Sequence, residues 1–164
     1  ANMDEILDKG YDLILVVKDN LDFVTDLIDK KGLSLKMNNR YYLVEHEVYG
    51  LTEKIELYDR KMYLHLYYGN IRAQKERNDF LKEIDHQSKR LDQKIAKKTL
   101  RKEDIKGYDR YFSLRFDQFG FFESYRIKER AIQKTTDSFA YFAIITSQKM
   151  EADKALTIYR DRDV

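Results

Sequence analysis

The chain has no cysteine and no proline, only six glycines and only three histidines in 164 residues. Without cysteine there is no disulfide framework and no thiolate zinc site, and a reducing, cytoplasmic setting is the expectation. Without proline, turns fall to Gly, Asn and Asp. The longest apolar run is about eight residues, far short of the roughly 20 that a membrane helix needs, so no membrane partner is expected. No signal-peptide pattern opens the chain. The histidines, His46, His65 and His86, lack the spacing of a zinc site, and a strand histidine opposite a tyrosine reads as a hydrogen-bonded packing residue. No Gly-rich phosphate loop, nucleophile elbow or HExxH helix occurs, which leaves nucleotide hydrolases, serine esterases and zinc metalloproteases without support.

Charge is abundant but balanced. Charged residues make up 37% of the chain and the net charge is only +2, so any polyanion site must be local. From residue 71 to 106 there are twelve Lys or Arg against seven Asp or Glu, which concentrates the positive charge in one segment. The ordinary reading of such a segment is a solvated helix face. The sharper one is that Arg72, Lys75, Arg77, Lys89, Arg90 and Lys94 lie near phosphates, with Lys97, Lys98, Arg101 and Lys102 as the densest group.

The periodicities sort the rest. A short helix capped by Asn2 or Asp4 runs to Lys9 and closes at Gly10, followed by a strand over residues 13–17 (LILVV). That strand and the one at 139–146 (FAYFAIIT) do not alternate with polar residues, which predicts burial on both faces within one shared sheet. Residues 19–31 read as a helix ending at Gly32. Residues 40–49, 54–58 and 61–68 alternate like strands, with Asp59-Arg60 as the hairpin connection. Seven of the thirteen tyrosines fall between 41 and 68, and ring packing in a small antiparallel sheet explains them better than a base-stacking surface. Residues 71–98 are the longest helical signal, 111–116 a strand, and 123–134 a further strand with a bulge near Ala131. Asp137-Ser138 then turns into the last strand, and a helix follows over EADKALTIYRDRDV.

On that last helix Ala152, Ala155, Tyr159 and Arg162 share one face, while Asp161 and Asp163 point elsewhere and read as surface charges. The run from Phe139 to Val164 resembles the end of the catalytic core in DDE transposases of bacterial insertion sequences. There, a strand ending in Ile-Thr precedes the signature Tyr-x2-Arg-x3-Glu-x6-Lys. Tyr159 and Arg162 match its first two members, and its Glu would fall two residues beyond Val164. The opening ANMDEILDKGYDLILVVK is similar to the segment that follows the second catalytic Asp of the same family.

The resemblance implies an α+β chain. Residues 1–33 with 136–164 would be a partial ribonuclease-H-like α/β core piece, and 34–135 a β-rich insertion domain carrying the long charged helix at about 71–98. It further implies a transposase fragment lying between the second and third catalytic carboxylates and containing none of them. In the full-length protein, Mg²⁺ ions held by those carboxylates would support DNA strand cleavage and transfer. DNA element ends would be the partner, with a homodimer assembling on them. Tyr159 and Arg162 would contact phosphate near the cut. The rival reading is a non-enzymatic module that binds nucleic acid or protein.

Overall fold

The computed structural model describes residues 2–162 and mixes helix with sheet. The helices are α1 (Met3–Asp8), α2 (Asp22–Met37), α3 (Asn70–Lys97), α4 (Glu129–Asp137) and α5 (Ala152–Asp161). The strands are β1 (Ile14–Val17), β2 (Tyr42–Leu43), β3 (Val48–Leu57), β4 (Arg60–Tyr68), β5 (Phe112–Phe116), β6 (Phe122–Ile127) and β7 (Tyr141–Thr146). They form two compact units: one holds the residues up to Ala73 and those from Ala140 onward, the other residues 74–139.

The first unit is built on a five-stranded sheet of order β1-β7-β4-β3-β2, every neighbouring pair antiparallel. The two apolar stretches expected to share a sheet are direct neighbours, with Leu15 opposite Ile145 and Val17 opposite Ala143. Strand parity divides the side chains. Met62, Leu64, Leu66, Ala143 and Ile145 pack with Leu7 of α1 and with Val24, Leu27 and Leu35 of α2. On the opposite face Val48, Tyr67 and Ile144 pack with Ala152 and Leu156 of α5.

Several expectations are corrected here. β7 is buried on both faces, but β1 is the sheet edge, and Leu15 and Val16 are each 41% exposed. The helix expected to stop before Gly32 continues to Met37, because fully buried Leu35 extends its apolar stripe. Gly32 sits inside that helix for a packing reason: a Cβ there would lie 2.8 Å from Tyr141 Oη. The β3–β4 hairpin turns on Tyr58 and Asp59, one residue earlier than expected. Both have positive φ, 53° and 58°, the twist that a two-residue loop between antiparallel strands requires. The expected division at residues 33/34 also moves. Because β3 and β4 pair onto β7, residues 34–73 belong with β1 and β7, and the chain leaves this unit only within α3.

The second unit wraps a two-stranded β5–β6 sheet on α3, with Ile84, Leu91, Ile105, Phe112 and Phe122 at its centre. Tyr125 ties β6 to the helix by donating its phenol proton to Asp92 Oδ1 at 2.8 Å. The strand expected over 123–134 ends at Ile127, and α4 follows. Ile132 of that helix packs into the same core, and the Tyr111 and Thr135 hydroxyls hydrogen-bond at 3.1 Å. Tertiary packing overrides the alternating pattern there.

Candidate nucleic-acid interface

The sequence singles out two groups of residues, one in each unit. The first is carried by α5. Ala152, Ala155 and Leu156 bury its inner face, and Tyr67, at the centre of the sheet, donates its hydroxyl to the Ala152 carbonyl at 2.7 Å. Burial raises the Tyr67 phenol far above its ordinary pKa, so it acts as a neutral donor. Tyr159, one turn from the end, is half buried and packs against the cluster that includes Ile14, so its ring is not freely presented. Arg162 is exposed, and its Nη1 donates to the Ile14 carbonyl at 3.2 Å.

That carbonyl is available for a topological reason. Ser147 N donates to Leu13 O, so Leu13, Leu15 and Val17 take the hydrogen-bonded positions facing β7. The backbone groups of Ile14 and Val16 therefore point to the open edge of the sheet. The guanidinium of Arg162 has one protein acceptor there and further N–H groups directed to solvent.

Sequence reasoning missed what surrounds this helix. The turn between β2 and β3, with Glu47 at φ 54°, lays His46 on the outer flank of α5. His46 Nε2 lies 3.0 Å from Asp153 Oδ1 and 3.0 Å from Thr157 Oγ1, and Arg160 Nη1 donates to Nδ1 at 3.2 Å. Arg160 needs a lone pair on Nδ1, which puts the ring proton on Nε2. The signal was nonlocal, since His46 is more than a hundred residues from these partners.

His65 is a hydrogen-bonded packing residue, as its strand position suggested. It is fully buried, with Nδ1 2.8 Å from Thr52 Oγ1 and Nε2 2.8 Å from Thr146 Oγ1. Thr146 spends its own proton on the Gln148 carbonyl, so it accepts from Nε2–H, and Thr52 donates to Nδ1. Burial lowers the His65 pKa to about 4.

The second group lies in the other unit, in the connector from α3 to β5. Lys97 is the last residue of α3, where a cation complements the helix dipole, and Lys98 turns the chain with φ 56°. Arg101 forms a backbone bridge to Phe121 and holds its guanidinium 4.6 Å over that ring, while its amide donates to Asp104 Oδ2 at 2.8 Å. Lys102 opens a short 3-10 turn. All four side chains are exposed. Lys102 also lines an open groove of about 920 Å³ together with Lys106, Lys128, Asp109, Phe112 and Phe116. The contribution of Lys128 was not foreseen, because it follows β6 and reaches the groove only through the hairpin. Elsewhere on α3, Lys89 is bonded to Asp85 one turn away, so part of the helix's positive charge is neutralised locally.

Among the described residues no three His, Cys, Asp or Glu stand together as a metal site. These residues therefore do not make a seat for the Mg²⁺ that the resemblance implies. Asp161 is exposed at the end of α5, and Asp163 lies outside the described residues. No helix among the described residues is long and apolar enough to cross a membrane. The chain matches no family model, no curated protein and no solved structure.

Proposed function

We propose that this chain is the part of a DDE transposase of the insertion-sequence type between its second and third catalytic carboxylates, with a ribonuclease-H-like core piece in its first unit. Its own work is to hold DNA phosphate. The observation that carries this reading is the position of Arg162: an exposed guanidinium, three residues after half-buried Tyr159, at the open edge of the strand that pairs with β7. A phosphate oxygen would replace the Ile14 carbonyl and take two parallel N–H donors, a charge-assisted bond about twice as strong as a neutral one. Lys97, Lys98, Arg101 and Lys102 would add sequence-independent attraction.

The test combines binding with sequence. Titrating a fluorescent 30-bp duplex across a salt series should give a linear fall of log affinity with log salt. Reversing the charge of Lys97, Lys98, Arg101 and Lys102 should flatten that slope by about 0.9 for each phosphate no longer neutralised. Arg162→Ala should weaken binding roughly threefold to tenfold at fixed salt, the effect of losing one partly solvated charge-assisted bond. In the extended polypeptide the fourth residue after Arg162 should be Glu, and its replacement by Gln should abolish Mg²⁺-dependent strand cleavage. Any other residue there overturns the assignment. Absence of salt-dependent binding favours a protein-binding module instead.

A further inference from the structure

We infer that His46 is a positioning residue: held in the turn between β2 and β3, it clamps the outer flank of α5 and so fixes where Arg162 meets a phosphate. This deepens the DNA-binding reading and rests on it.

What packs beneath α5 does not by itself set its roll. The buried face of the helix is Ala152, Ala155 and Leu156, and the bond from Tyr67 holds only its first turn. Two methyl groups and one isobutyl group give few contacts with which to resist a turn about the axis. Tyr159 adds a half-buried ring, but only beside Ile14 of β1. The other flank is held by His46. Asp153, Thr157 and Arg160 follow one another at steps of four and three residues, which makes one line along the helix, and His46 meets all three. At 3.6 residues per turn, Arg162 lies roughly half a turn round from that line. The helix is therefore gripped on the side of β2 and presents Arg162 on the side of β1, the two opposite ends of the sheet.

The hydrogen-bond directions of the clamp close without conflict. Thr157 Oγ1 spends its proton on the Asp153 carbonyl at 3.0 Å, so it accepts from His46 Nε2–H together with the Asp153 carboxylate, while Nδ1 accepts from Arg160. The side chain of His46 is only 10% exposed against 57% for that of Asp153, so the ring is the anchored member and the helix side chains are tied to it. Small movements matter at the far flank. A guanidinium about 6 Å from the helix axis shifts by ~1 Å for a roll of about 10°. A displacement of that size is enough to weaken a contact that depends on two aligned N–H donors.

The purified chain is titrated with the fluorescent duplex as wild type, His46→Ala, Arg162→Ala and the double variant, and amide exchange is followed in each. His46→Ala should lower duplex affinity about threefold and speed exchange across α5, with β3 and β4 keeping their protection. In the Arg162→Ala background the same change should cost less than about twofold, because the contact it directs is already gone. His46→Gln, whose amide offers N–H to Asp153 and Thr157, should recover most of the affinity. Thr157→Val removes the middle of the clamp from an exposed position without touching the turn, and should follow His46→Ala in direction even where that variant fails to fold. Equal effects of His46→Ala in the two backgrounds, or unchanged exchange across α5, overturn the positioning role while the DNA reading stands. If the wild-type chain does not bind the duplex, the DNA reading falls and this role with it.

Discussion

His65 links one residue to the stability of the sheet. It is neutral and buried between two threonines, with its pKa lowered to about 4 from an ordinary 6.5. Above pH 6.5 neither the folded nor the unfolded chain protonates this ring. As the pH falls from 6.5 toward 4 the unfolded chain takes up a proton that the folded one refuses, and stability drops by on the order of 3 kcal/mol. Urea unfolding across that range should show the decline, and His65→Asn should flatten it. An unchanged slope in the variant would assign the loss to other groups. The packing role of His65 was legible from its place on a strand among tyrosines; its full burial was not, because alternation put it on the face opposite Met62, Leu64 and Leu66, a face that α5 covers from the far end of the chain. Gly32 was not, because a glycine late in a helical pattern has the form of a stop. What keeps it mid-helix is the ring of Tyr141, more than a hundred residues away. Tyr159 and Arg162 were singled out by a shared helix face together with the resemblance, yet their different burial depended on β1 lying beneath them.

At the scale of elements, α5 is fixed by its first turn. The Tyr67 hydroxyl reaches from the middle of β4 to the Ala152 carbonyl, and the same ring stacks on Phe142 with centroids 4.9 Å apart. Tyr67→Phe would keep the stack and leave a buried acceptor without its donor, so it should cost about 1–3 kcal/mol. Hydrogen exchange should show α5 opening more readily while β3 and β4 are unchanged; equal protection in both proteins would mean that apolar packing alone seats the helix. Long periodic elements were legible where the pattern is unbroken, as in α3 and β4; β3 was not, because residues 40–49 and 54–58 read as separate strands, whereas the chain turns at 44–47 and β3 then runs unbroken from Val48 to Leu57. The helix α4 was hidden because ERAIQKTTD has few apolar residues, and one of them, Ile132, is enough to anchor it. The β2–β3 turn that carries His46 onto α5 has no local signal of its own.

The whole molecule has two separately assembled interiors, one around the five-stranded sheet and one around α3 with the β5–β6 hairpin. Leu91 is fully buried in the second. Leu91→Ala should therefore cost about 2–5 kcal/mol and accelerate amide exchange across residues 80–137, with β4 and β7 keeping their protection. Uniform acceleration through both would mean that they unfold as one. The pairing of the two apolar stretches at the ends was legible. The place of the strands at 48–68 was not, because they alternate in the same way whether they extend that sheet or build one elsewhere.

The open side of β1 has a bearing on how this molecule behaves in concentrated solution. Short apolar strands with free amides and carbonyls template edge-to-edge aggregation, and natural proteins blunt them with charged gatekeepers. Arg162 already occupies one carbonyl on that side, so an incoming strand must first displace a hydrated cation. The side chain proposed to grip phosphate thus also protects the edge. Removing it exposes ILVV to self-pairing, and light scattering should accompany every titration of that variant, so that lost solubility is not mistaken for lost affinity.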